Sequence, residues 1–251
     1  MTAPQLVLVV FIGLIVFAVI YLRRGGGRGK PGPDPVPRLR GFFERTGYGF
    51  ADARQAPPQA QAERWNAMYL ASMRGQKYQL HLVRSYEGRE LHWEQSNGTA
   101  GGTLTWSQSW VMPLSSPPRV QFHVSDRSNL TIGERGRTST WQPAFQNALQ
   151  IGDPEFDARF VVYGLDEQGV RDVLADSTLR QALMECSHVD LRVLTESVRF
   201  SDPMEKNATR WMGGVQGYLK SIRDPGSKFE VTDGMHDHLA RLMLSAASLA
   251  S

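Results

Sequence analysis

The chain has 251 residues, 41% hydrophobic and 21% charged, with a formal net charge of +3 and a pI of about 9.1. Six basic side chains (Arg23, Arg24, Arg28, Lys30, Arg38 and Arg40) and one acid, Asp34, fall in residues 23–40. The remainder is therefore slightly acidic and lacks the basic face that nucleic-acid phosphates require, and the single cysteine, Cys186, excludes an intramolecular disulfide and agrees with a reducing compartment.

From Leu6 to Leu22 no side chain is charged and Gly13 is the one glycine, so residues 4–22 approach the length of a bilayer span and predict a transmembrane anchor. The leading "MTAPQ" has no basic residue and the run ends without a small-residue cleavage site, which argues against a cleaved signal peptide. Arg23, Arg24, Arg28 and Lys30 flank the run on its C-terminal side alone. The positive-inside bias then puts the N-terminus outside and the rest of the chain in the cytoplasm, on a single span of the inner (plasma) membrane. The expected partner of residues 4–22 is the lipid bilayer, and the basic flank offers a contact to anionic headgroups. A phosphate-binding loop is excluded there, because Pro31 follows Gly29-Lys30 where Ser or Thr is needed.

Residues 23–57 read as a basic Gly/Pro-rich linker and approach segment, whose first eighteen residues, 23–40, are expected neither to pack nor to form a helix. A lobe over 58–150 opens with a helix from about Pro58, with Trp65, Met68, Tyr69 and Met73 at helical spacing and a stop at Gly75. The period then changes to two: Leu80 and Leu82, Leu91 and Trp93, Leu104, Trp106 and Trp110, Phe122 and Val124. That pattern predicts an antiparallel sheet with one buried face, with "SNGTAGG" and "SSPPR" as turns. The opposite strand faces carry His81, His92 and His123, which form a metal or proton-binding patch if their strands are neighbours and a solvated polar face otherwise.

A second lobe over 151–251 begins with a predicted strand from Phe156 to Tyr163, preceded by a turn shaped by Asp153, Glu155 and Asp157. Asp166 and Asp176 each open a short helix, with Val170, Val173, Leu174, Leu179, Leu183 and Cys186 inward. A hairpin follows, with Leu191 and Val193 in one strand and Val198 and Phe200 in the next. Asp202, Pro203 and Glu205 predict a capped helix with Trp211, Val215 and Tyr218 on one stripe. A last helix is expected from an Asp233 cap, with Met235, Leu239, Leu242, Ala246 and Leu249 inward. The expected class is α+β: anchor, linker, then an antiparallel sheet-rich lobe packed against a strand-helix-hairpin-helix lobe, with 58–251 as one globular unit.

The stretch "GDPEFDARFVVYGLDEQGVRDVL", residues 152–174, resembles a block found in membrane-anchored bacterial proteins grouped as domains of unknown function. The resemblance implies an anchored protein and brings no activity with it. Those proteins often carry two spans where this chain has one.

Elsewhere the chemistry-bearing residues lack productive spacing. Cys186 and His188 are two apart, a thiol–base pair only through a sharp turn, and His236 and His238 fall on different faces of a helix, where metal ligands want a spacing of three or four. No catalytic residue and no cofactor is expected. The sequence favours a membrane-anchored, non-catalytic binding or scaffold domain with a protein partner; the alternative is a membrane-tethered hydrolase or metal-dependent enzyme using the strand histidines.

Overall fold

Alternation of apolar and polar residues drives the central feature of the fold, an antiparallel sheet of eight strands. It is seen in a computed structural model describing residues 36–73, 79–100, 103–127, 148–202 and 225–251. The strands are β1 (Gly49–Phe50), β2 (Gln79–Tyr86), β3 (Arg89–Ala100), β4 (Thr103–Pro113), β5 (Phe122–Asp126), β6 (Phe160–Gly164), β7 (Asp190–Val193) and β8 (Ser197–Asp202). Their order is β1-β2-β3-β4-β8-β7-β5-β6. The helices are α1 (Val36–Thr46), α2 (Pro58–Met73), α3 (Pro154–Arg159), α4 (Glu167–Leu174), α5 (Ser177–Glu185) and α6 (Pro225–Leu249). The transmembrane run, its flank Arg23, Arg24, Arg28 and Lys30, and the helix expected after Asp202 lie outside the described residues. Among the described residues no helix is long and apolar enough to cross a membrane.

The α+β class is as expected, but the two lobes share one sheet. Strand β4 pairs with β8 from Gln108↔Asp202 to Pro113↔Ser197, so the hairpin of the second half extends the meander of the first. Residues 35–251 form one compact unit. One buried cluster unites Leu82, Trp93, Trp110, Phe122, Val162, Leu191 and Phe200 from the sheet with side chains from all six described helices.

Several local expectations change. Val36, Leu39, Phe42 and Phe43 recur at intervals of three and four and are buried, so α1 belongs to the core although the linker reading extended to residue 57. Burial of two phenylalanines outweighs the flanking Gly/Pro bias. The Ser96–Ala100 stretch, expected to turn, is paired strand opposite Thr103–Ser107. The pairing runs to Ala100↔Thr103, so β3 and β4 join at the end of that stretch, and a separate tight turn falls at Glu87 and Gly88 between β2 and β3, whose φ values of 47° and 79° suit a two-residue hairpin.

Phe156–Tyr163 is not one strand. Asp153 accepts from the Phe156 amide at 3.2 Å and Pro154 stands at the first helical position, so α3 forms before β6 begins at Phe160. Asp157 accepts from the amides of Ile151 and Gly152, both at 2.9 Å, which fastens the loop before the helix. Asp233 does not cap the last helix, which begins at Pro225; it receives Arg45 of α1 at 2.8 Å. Leu249, expected inward, is 41% exposed.

The two short helices α4 and α5 start where expected. Asp166 accepts from Gly169 N at 2.9 Å and Asp176 from Leu179 N at 2.7 Å. Replacing either aspartate by alanine is expected to destabilise the fold by about 0.5–2 kcal/mol, the usual cost of an N-cap, read as a lowered urea midpoint. An unchanged midpoint rejects the assignment for that helix.

Candidate functional site on the open face of the sheet

Because side chains alternate across a strand, the face opposite the core carries the polar set: His81 on β2; Glu90, His92, Glu94 and Ser96 on β3; Ser107 and Ser109 on β4; Arg199 on β8; Asp190 and Arg192 on β7; His123 on β5. The described helices send their buried side chains into the cluster on the other face. Among the described residues the polar side chains of that face are held in fixed positions by cross-strand links, while Val83, Ser125 and Val161 on the same face are buried. Ser96 and Ser107 hydroxyls meet at 3.1 Å, and Glu94 accepts from Arg199 at 3.0 Å and from Ser109 at 3.4 Å.

The three strand histidines separate into two places. His81 and His92 meet, Nε2 to Nδ1 at 2.9 Å, because β2 and β3 set Val83 opposite His92 and His81 opposite Glu94, making the histidines diagonal neighbours. Burial first, then the neighbouring His81 charge, hold the His92 imidazole below the usual histidine range. His123 sits four strand steps from His92, roughly 20 Å at the usual strand spacing. There it meets Asp190 at 2.8 Å, which also takes Arg192 at 2.9 Å on each oxygen. Among the described residues no group of three or more His, Cys, Asp or Glu side chains converges as a metal site.

Burial alone raises the Asp190 carboxyl, but the His123 and Arg192 partners outweigh it and hold the group below the usual carboxylate range. A depressed folded-state value stabilises the fold above the ordinary aspartate pKa of about 3.9, and that contribution is lost as pH falls through the folded value. In Asp190→Asn the loss of stability below about pH 4 is therefore expected to be shallower than in the parent, measured by urea unfolding at stepped pH. An identical acid slope in the two proteins overturns this.

On the core face lies a polar cluster that sequence reading passed over. Trp110 Nε1 donates to His236 Nδ1 at 2.9 Å, and the imidazole is ringed by Trp93, Tyr48, Trp110 and Phe42 at centroid distances of 4.4, 5.2, 5.6 and 5.8 Å. Arg84, 3% exposed, donates to the His236 carbonyl at 3.0 Å and to Asp237 at 2.8 Å, and its guanidinium lies 4.9 Å from the Tyr48 ring centroid. Burial drives the Tyr48 hydroxyl pKa upward. The available signal was Arg84 itself, a charge on the inward side of the Leu80-Leu82 alternation.

Cys186 does not pair with His188. Its sulfur lies 3.6 Å from His238 Nε2, while His188 Nδ1 turns to Asp126 at 3.6 Å. Glu185 stands 3.7 Å beyond His238 Nδ1, which completes a thiol–imidazole–carboxylate line, yet Cys186 is 1% exposed and His238 7%. His238 Nε2 also lies 3.1 Å from the Ala182 carbonyl, a position that suits its proton rather than its lone pair. The arrangement packs α5 to α6 and gives a substrate no approach. His236 and His238 do face different ways, as their spacing predicts.

No family model matches the chain, and no curated protein matches it. Among solved structures, the crystal structure of the mycobacterial trehalose monomycolate transport factor A, TtfA, is similar over 78% of this chain and 95% of that chain, with 9% identity and a TM-score of 0.38. A likeness of that size carries no argument about fold or function.

Proposed function

We propose that the chain is a single-pass membrane-anchored protein whose globular unit, in the cytoplasm, is a non-catalytic binding or scaffold module for a protein partner. The membrane half of the reading is supported by the apolar run Leu6–Leu22 and the one-sided basic flank Arg23, Arg24, Arg28 and Lys30. The binding half rests on one observation, the open sheet face, whose side chains are held by Glu94–Arg199 and Asp190–Arg192 pairs with Ser109 between their strands. Among the described residues that surface is polar and fixed by its pairs, and it offers contacts without a positioned nucleophile. A metal-dependent enzyme using all three strand histidines needs them at one point, and His123 is engaged with Asp190 elsewhere on the sheet.

Topology is tested by C-terminal fusions: cytoplasmic fluorescence without phosphatase activity is expected, and phosphatase activity without fluorescence rejects it. Binding is tested by crosslinking in the native membrane, comparing the parent with Ser109→Arg and Arg199→Glu. A crosslinked partner lost in both variants is expected; capture unchanged in both rejects the sheet face as the contact.

A further inference from the structure

We propose that His81 and His92 form a two-point chelate for a divalent copper or nickel ion on the open face of the sheet, with water completing the coordination. The inference stands apart from the binding-module reading and concerns a small ion.

The two imidazoles share one proton across 2.9 Å. Its owner follows from the far side of the His92 ring, where Nε2 lies 3.5 Å from Glu90 Oε2. A carboxylate there favours the proton on His92 Nε2, which leaves Nδ1 as a lone pair and makes His81 Nε2 the donor. A metal takes the place of the shared proton: His81 moves its proton from Nε2 to Nδ1, both facing nitrogens present lone pairs, and no proton leaves the pair. Rotation of the rings turns those lone pairs to a common point on the solvent side, where His81 is exposed and the His92 side chain is 20% exposed.

The 2.9 Å between the facing nitrogens is that of the hydrogen bond they now share, and it brings both rings within reach of one ion once they turn. Two imidazoles with water in the remaining positions bind divalent first-row ions in an order that peaks at copper, with nickel next and zinc weaker than copper. Glu90 Oε2 lies 3.5 Å from the other His92 nitrogen, close enough to act by charge without a hydrogen bond, and Glu90 is itself met by Arg54 at 3.6 Å. Glu94 faces His81 across the strand pair and is held by Arg199 and Ser109, and Asp52, held by Arg64, interacts electrostatically with His81.

The test uses the purified full chain without a polyhistidine tag, titrated with CuCl₂, NiCl₂ or ZnCl₂ alone at pH 7.5 and pH 5.5. One equivalent of copper is expected at pH 7.5, with at least a tenfold loss of affinity in His81→Ala and in His92→Ala, no change in His123→Ala, weaker zinc, and loss of binding at pH 5.5. His81→Asn and His92→Gln keep polar side chains on the surface and are expected to behave as the alanine variants, with unchanged urea midpoints. The copper EPR spectrum is expected to carry nitrogen hyperfine coupling that diminishes in each single variant. Binding that survives in His81→Ala and His92→Ala, binding that follows His123, or no binding in the parent overturns the proposal; none of these outcomes touches the topology or crosslinking tests.

Discussion

Deleting residues 36–46 is expected to abolish cooperative unfolding of the globular unit, while a chain that begins at residue 35 keeps it. Helix α1 places Val36, Leu39, Phe42 and Phe43 in the buried cluster at 8%, 1%, 0% and 3% exposure. Phe42 meets Phe43 at 5.6 Å, Tyr48 at 5.9 Å and Trp93 at 6.3 Å between ring centroids, so it bridges the helix to the sheet. At about 1.5–3 kcal/mol for each buried apolar side chain, four of them contribute about 6–12 kcal/mol, comparable to the whole stability of an ordinary domain. The same deletion removes the Arg45 partner of Asp233 on α6. Tryptophan fluorescence and far-UV circular dichroism followed through urea decide the matter. A sharp transition at the parent midpoint in the shortened chain would return α1 to the linker.

Trp110→Ala is expected to cost about 3–5 kcal/mol, because a fully buried indole leaves a cavity that the sheet cannot close. Trp110 is 0% exposed, stacks on Trp93 at 6.2 Å with an interplanar angle of 3°, and meets Phe200 edge-on at 6.2 Å. Trp110→Phe separates the two parts of its role. It retains most of the apolar area but removes the Nε1 donor at 2.9 Å from His236, and loss of that donor is expected to cost about 1–3 kcal/mol. Adding His236→Leu to Trp110→Phe removes the acceptor as well, for which the Tyr48 hydroxyl at 3.4 Å is a longer partner than the indole, so the double variant should be more stable than the sum of the single effects predicts. Urea midpoints of the four proteins test this. Additivity would show that the indole–imidazole contact is incidental to the packing.

Sequence alone carried the features whose cause is local. A period of two along β2, β3, β5, β7 and β8 separates a buried face from a polar one whatever the strands pair with, since pleating places alternate side chains on opposite sides. Asp166 and Asp176 cap their helices through amides three residues away, and His236 and His238 diverge because two residues make about half a helical turn. Tertiary structure decided what depends on distant residues. The pairing of β4 with β8 merged two expected lobes into one sheet, and strand order brought His81 to His92 while carrying His123 to Asp190. Residues in α1 counted as linker until Phe42 found Trp93, and Asp233 looked like a cap until α6 extended past it to Pro225. Cys186 met His238 rather than His188 because α6 packs on α5, a contact between residues 52 apart in sequence. Local signals report which way a side chain faces; which neighbour it meets there is settled by long-range burial, whose free energy belongs to the whole cluster rather than to any window of sequence.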